Sequence, residues 1–151
     1  MKWPQGSEYH GTFVDGRRHG HGRMRTEDGH EFEGEFHDDE RVRGQLTLPS
    51  GAIYNGEFRG GLKHGEGQYI WRRGEEYSGP WVKGKCNGVG RMSYADGGSY
   101  TGMFVDNVRH GQGTYTYRDG GRYEGAWIDG EKTGDGKFFW AEIDSQRSNS
   151  R

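Results

Sequence analysis

Only 28% of the 151 residues are hydrophobic, and no long apolar run occurs. Neither a thick layered core nor a membrane-crossing helix can be written from such a chain. Cysteine appears once, as Cys86, which excludes an intrachain disulfide and a CxxC metal site and points to a reducing, intracellular setting. The opening residues Met1-Lys2-Trp3-Pro4-Gln5-Gly6 hold no apolar stretch suited to a secretory signal, and neither a myristoylation glycine nor a prenylation box is present. An excess of either charge is lacking too. The formal net charge is −2 and arginines come in pairs such as Arg17-Arg18 and Arg72-Arg73, so non-specific nucleic-acid binding has no electrostatic support. One stretch, from Glu27 to Glu40, is markedly acidic; it reads as a solvated face, with a docking patch for a basic partner as the sharper alternative.

What the chain has is glycine, thirty residues of it, and 14% aromatics, and the two are set in a strict period. Units open at Tyr9, Phe32, Tyr54, Tyr77, Tyr100 and Tyr123, in steps of 23, 22, 23, 23 and 23 residues. The third position of each unit is glycine (Gly11, Gly34, Gly56, Gly79, Gly102, Gly125) and the fifth is aromatic (Phe13, Phe36, Phe58, Trp81, Phe104, Trp127). A Gly-x-Gly follows in all but the second unit, which is one residue short and keeps only Gly44. A fixed period of this size marks a stacked-repeat architecture, in which one unit cannot bury its apolar face without a neighbour. Residues 1–8 read as the second half of a preceding unit, 9–143 as six tandem repeats, and 144–151 as a polar, disordered tail.

Alternation inside each unit has a period of two, which predicts strands. In Tyr77-Ser78-Gly79-Pro80-Trp81 the two rings and the glycine share one face, and the glycine leaves a hollow in which a ring can lie against the backbone. The second strand repeats the pattern through Met24/Thr26, Leu46/Leu48, Tyr69/Trp71, Met92/Tyr94, Tyr115/Tyr117 and Phe138/Trp140. The expected fold is therefore all-β: an elongated, single-layer antiparallel sheet of tandem β-hairpins, roughly 55 to 60 Å long at about 4.8 Å per strand. Turns such as Asp96-Gly97-Gly98 and Asp119-Gly120-Gly121 are expected to supply positive φ between units.

The pattern Tyr-x-Gly-x-Trp/Phe, followed by His-Gly-x-Gly, resembles the MORN repeat (membrane occupation and recognition nexus), and the likeness runs from about Met1 to Trp140. The resemblance implies a ribbon found in cytoskeletal, ciliary or flagellar and membrane-contact assemblies, with some members pairing as homodimers. It also implies, as an alternative, a phosphoinositide-binding module; the half-repeat at Met1 suggests a further alternative, a regulatory region cut from a larger enzyme.

No chemical motif competes with this reading. The glycines precede strands rather than a helix N-terminus, and no phosphate-loop lysine follows, so nucleotide binding and other cofactors are not expected. His19, His64 and His110 repeat at one position of their units, which reads as turn residues bonding backbone rather than as a metal ladder; a zinc ion bridging two chains through Cys86 and a histidine is the alternative considered. A catalytic constellation occurs once whereas these residues recur, so no enzyme and no catalytic residue are expected. The expected role is a scaffold that takes an extended or helical protein segment along a groove of Tyr69, Trp71, Tyr94, Tyr115, Tyr117 and Trp140. Self-association through the other face is expected at Ile70, Met103, Ala126 and Phe139, and a lipid surface is the weaker alternative, because near-neutral charge gains little at an anionic membrane. The expected location is the cytoplasm.

Overall fold

The structure is a computed structural model that describes residues 6–141. The readings placed on residues 1–5 and 142–151 lie outside it. The described chain is thirteen strands: β1 (Glu8–Val14), β2 (Arg17–Arg25), β3 (Glu31–His37), β4 (Glu40–Thr47), β5 (Ile53–Arg59), β6 (Leu62–Ile70), β7 (Glu76–Val82), β8 (Lys85–Cys86), β9 (Gly88–Ser93), β10 (Ser99–Val105), β11 (Val108–Thr116), β12 (Arg122–Ile128) and β13 (Glu131–Phe139). They form one antiparallel sheet in chain order, with β8 pairing to β7 ahead of β9, so that β8 and β9 act as one second strand interrupted at Asn87. The expected all-β ribbon of tandem hairpins is what the chain adopts.

Two turn chemistries set the period. Within each hairpin the two central residues both have positive φ: Asp15-Gly16 (52° and 77°), Asp38-Asp39 (46° and 72°), Gly60-Gly61, Lys83-Gly84, Asp106-Asn107 and Asp129-Gly130. This is the left-handed pair whose twist matches that of the flanking strands. Asp39 and Asn107, where other units have glycine, keep the same turn because Asp and Asn tolerate the left-handed region better than most side chains. Between hairpins the chain turns more widely: Gly97 N–H donates to Tyr94 O, Tyr94 N–H donates to Gly98 O, and the bonds recur around Trp71 and Tyr117. Gly97 carries the positive φ there and Gly98 does not, which narrows the expectation for the two glycines to one.

The paired glycines of each unit have different tasks. The first of them, for example Gly20, Gly65 or Gly111, has φ near +80° and forms a bulge opposite the fourth residue of the unit. The second joins the third-position glycine in a continuous row across the sheet: Gly11 faces Gly22, Gly22 faces Gly34, and the line runs on through Gly44, Gly56, Gly67 and Gly79, then from Gly90 through Gly102, Gly113 and Gly125 to Gly136. The unit-opening tyrosine lies over this row, and its hydroxyl donates to the carbonyl three residues on: Tyr9 to Thr12, Tyr54 to Glu57, Tyr77 to Pro80, Tyr100 to Met103 and Tyr123 to Ala126, at 2.7–3.2 Å. The shorter second unit opens with Phe32 and bulges by one residue fewer, at Val42.

First- and fifth-position rings make the core. Tyr9, Phe32, Phe36, Tyr54, Phe58, Tyr77, Trp81, Tyr100, Phe104, Tyr123 and Trp127 are buried, and they meet edge to face in an unbroken zigzag. Tyr54 touches Phe58 at 5.1 Å and Trp81 at 5.4 Å; Tyr77 touches Trp81 and Phe104; Tyr100 touches Phe104 and Trp127. Each such pair contributes about 0.5 to 1.5 kcal/mol beyond the burial of its area. The indole N–H groups of Trp81 and Trp127 donate to Gly67 O and Gly113 O, so the rings enter the core without leaving a donor unpaired.

Candidate functional site

Above the buried rings sits a second tier. Tyr69, Trp71, Tyr94, Tyr115 and Tyr117 are half-buried and pack on the core from the same face. Tyr69 meets Trp71 at 4.6 Å and Trp81 at 6.0 Å, Tyr94 stacks on Tyr115 at 5.6 Å, and Tyr115 meets Tyr117 at 4.8 Å. Five of the six expected groove residues are thus assembled in one tier. Trp140 stands apart: it follows the end of β13, is 84% exposed and meets Phe138 alone among the rings.

A row of cations runs through this tier. Arg18 lies over Phe36; Arg41 lies over Phe32 and Phe58; Lys63 lies over Tyr54, Tyr69 and Trp81; Arg109 lies over Tyr94, Tyr100, Tyr115 and Trp127; Lys132 lies over Tyr117 and Tyr123, all within 5.8 Å of the ring centroids. Each occupies the start of the second strand of its unit. The arginines are fixed further, since Arg18, Arg41 and Arg109 donate to the carbonyls of Asp39, Gly61 and Gly130 in the following turn. Sequence reasoning passed over this row, although its signal is plain: the position is basic in five units, one place ahead of the histidine in those that have it. In the fourth unit the place belongs to Cys86, which is 3% exposed and whose thiol burial pushes up to about 12. A buried thiol of this kind cannot reach a second chain, so the zinc bridge considered for it has no geometric basis. No group of three or more potential ligands stands together among the described residues.

The repeated histidines bind backbone, and they do so across units. His19, His64 and His110 accept through Nδ1 from the N–H of Asp38, Lys83 and Asp129, at 3.4–3.5 Å. Asn87 serves the same junction by donating to Asp106. Asp28, Asp39 and Glu40 of the acidic stretch border a hollow with Arg18 and Arg41, while its β3 glutamates lie on the opposite face beside basic neighbours: Glu33 near His21 and Arg23, Glu31 with Arg25, Glu35 with Arg43. That geometry is a charge-balanced, solvated surface.

On that back face the four residues expected to mediate self-association fall into two rows. Met103 and Ala126 occupy the bulge row, where Met103 pairs with Val89, itself 62% exposed. Ile70 and Phe139 lie in the row that pairs with the residue preceding each opening aromatic, with five strands between them, and Phe139 is covered by the Arg122 guanidinium at 4.1 Å. The structure therefore does not merge them into one patch.

Period, glycine row and ring ladder together define a tandem β-hairpin repeat protein. The sequence profile of the family described as the MORN repeat matches residues 9–31, 32–53, 54–76, 77–99, 100–122 and 123–142. The chain belongs to the MORN-repeat family. No curated protein matches it. Among solved structures it is similar to the SAS-4 (dCPAP) TCP domain in complex with a proline-rich motif of Ana2 (dSTIL) of Drosophila melanogaster, at 10% identity over 80% of this chain and 84% of that one, with a TM-score of 0.31. A likeness that weak carries no argument about function.

Proposed function

We propose that the protein is a non-enzymatic scaffold or adaptor that holds a segment of another protein along its aromatic face. MORN repeats accord with a role in protein or membrane interaction, and the carrying observation is the second tier of rings. Tyr69, Trp71, Tyr94, Tyr115 and Tyr117 rest on the core with one side and present the other to solvent, the arrangement in which aromatic anchors serve an interface. The back face differs: its charges are largely paired with one another. Within this reading the protein works in the cytoplasm in a cytoskeletal, ciliary, flagellar or membrane-associated assembly, and self-association uses the back face of the C-terminal units.

The test is a displayed peptide library panned on the folded protein and on a variant with Trp71→Ala and Tyr94→Ala. Peptides that bind the wild type should lose at least tenfold in affinity for the double variant while its circular dichroism and melting curve are retained. Unchanged binding by the folded double variant overturns the groove.

A further inference from the structure

The aromatic face holds a row of cations, bordered at Arg18 and Arg41 by Asp28, Asp39 and Glu40 and at Arg109 and Lys132 by Glu131. Every carboxylate carried by a strand occupies a register position opposite the core tyrosines: Glu31, Glu33 and Glu35 flank Phe32 and Gly34, Glu57 follows Gly56, Glu66 and Glu76 pair with Pro80 and Ile70, and Glu124 pairs with Lys137. Glu40 and Glu131, at the hairpin tips, pair with His37 and Ile128 on that same far side. Of the turn carboxylates, Asp96 and Asp119 are engaged with nearby backbone and Asp106 with Asn87, while Glu75 keeps one buried oxygen without a hydrogen-bond partner. Arg18 has Asp39 at 3.1 Å, but Arg41, Lys63, Arg109 and Lys132 make no ion pair with any described residue. They are recessed among rings rather than projected from the surface, as in the hollow of about 160 Å³ bounded by Arg109, Tyr115, Tyr117, Trp127, Gly130, Glu131 and Lys132, where Glu131 makes no ion pair with either cation. Burial pulls the Arg41 guanidinium and the Lys63 ammonium below their ordinary range, and a carboxylate arriving beside them would offset that cost by favouring the charged form.

Spacing identifies the shape of the anion. One cation per hairpin, with two strands at about 4.8 Å each, repeats every ~9.6 Å. A polyproline II helix rises about 3.1 Å per residue with three residues per turn, so one of its edges repeats every ~9.3 Å. Its preset backbone also costs little ordering entropy when it docks on aromatic rings. A flat anionic bilayer has no such pitch and cannot send headgroups between the rings. We propose that the groove recognises an acidic polypeptide segment in the polyproline II conformation, carrying a carboxylate at every third residue to meet Arg41, Lys63, Arg109 and Lys132 in turn, with an uncharged residue over Cys86. This rests on the reading that the groove holds polypeptide, and it adds the chemistry and pitch of what is held.

The probe is a fluorescein-labelled peptide of Glu-Pro-Pro triplets, about five turns long with glutamine in place of glutamate in the middle triplet, titrated with the protein by anisotropy. Two controls accompany it: repeated Gln-Pro-Pro, and a peptide of the Glu-Pro-Pro composition with its glutamates contiguous. The expected result is binding at least tenfold tighter than either control, weakening as salt rises, and reduced at least tenfold by Lys63→Gln with Arg109→Gln. Equal binding by the glutamine peptide overturns the charge requirement, and equal binding by the contiguous peptide overturns the pitch. The salt series and both controls use wild-type protein, so a poorly folded variant leaves the test intact. If panned peptides bind and depend on Trp71 and Tyr94 while Glu-Pro-Pro does not bind, the adaptor reading stands and this proposal falls. If no peptide of any kind binds, both fall. Phosphatidylserine vesicles that sediment the wild type but not the Lys63/Arg109 variant, with no peptide binding, assign the anion to lipid and overturn the proposal.

Discussion

At the scale of the residue, the glycine row shows how little room the tyrosines leave. A β-carbon on Gly90 would stand 2.6–2.8 Å from Oη, Cε2 and Cζ of Tyr77, closer than such atoms approach, and Tyr77 is held there by its bond to Pro80 O and by Trp81 and Phe104. Gly90→Ala should therefore destabilise the protein by about 2 to 3 kcal/mol, the range of an overpacked core, as read by urea denaturation. The same enclosure governs ionisation. Burial raises the phenols of Tyr54, Tyr77 and Tyr100, the last to about 12, and the thiol of Cys86 to about 12. These groups are acids whose folded pKa lies above the unfolded value, so the stability they confer is present below about pH 9 to 10 and is lost as pH rises toward 12. Absorbance at 295 nm should show the buried tyrosines ionising together with loss of the fold rather than before it. Ellman's reagent at pH 8 should leave Cys86 largely unmodified in native protein and modify it fully in guanidinium.

At the scale of the element, the hairpin turn carries a visible inefficiency. Lys83 sits at φ +50° ahead of Gly84, and a lysine gains nothing in the left-handed region that asparagine tolerates more readily. Lys83→Asn makes the turn Asn-Gly, the sequence best suited to this geometry, and should stabilise by about 0.5 to 1 kcal/mol in the same urea assay. The hairpins themselves were legible because their signal is local: the two-residue alternation of Tyr77, Gly79 and Trp81 and of second-strand pairs such as Tyr69 and Trp71. The difference between Gly65, which bulges, and Gly67, which lies beneath Tyr54, was not legible, since both read as glycine and only the register separates conformational need from lack of space. The cation row could be read from the sequence as a recurring basic position, but its role could not, for a tertiary reason. Lys63 acquires its meaning from Trp81 of the next unit and Arg109 from Trp127, contacts that exist only once neighbouring hairpins stack. The tier of Tyr69, Trp71, Tyr94, Tyr115 and Tyr117 followed from strand parity, but parity cannot say that β13 ends before Trp140.

At the scale of the whole molecule, each hairpin touches its neighbours and little else, so stability is a sum of unit and junction terms. The junctions repeat one set of bonds, with Asp39, Gly84, Asn107 and Gly130 N–H donating to the carbonyls of Arg18, Lys63, Cys86 and Arg109. Amide exchange should accordingly be slowest around β5 to β10 and quicken in steps toward β1 and β13, the two ends of the described sheet. Uniform protection across all strands would mean a single cooperative unit instead.

The unbroken file of glycines has a mechanical consequence. Along that file no side chain on the rear surface braces one strand against the next, so the sheet carries a crease down its long axis, filled in front by the unit-opening rings, the tyrosines and Phe32. Bending about the crease is resisted by backbone torsion and by the tilt of those rings, while the ladder of backbone hydrogen bonds holds the length constant. The molecule is thus stiff as a strip and compliant across its width: it can close on a thin occupant or open for a thick one without changing its reach.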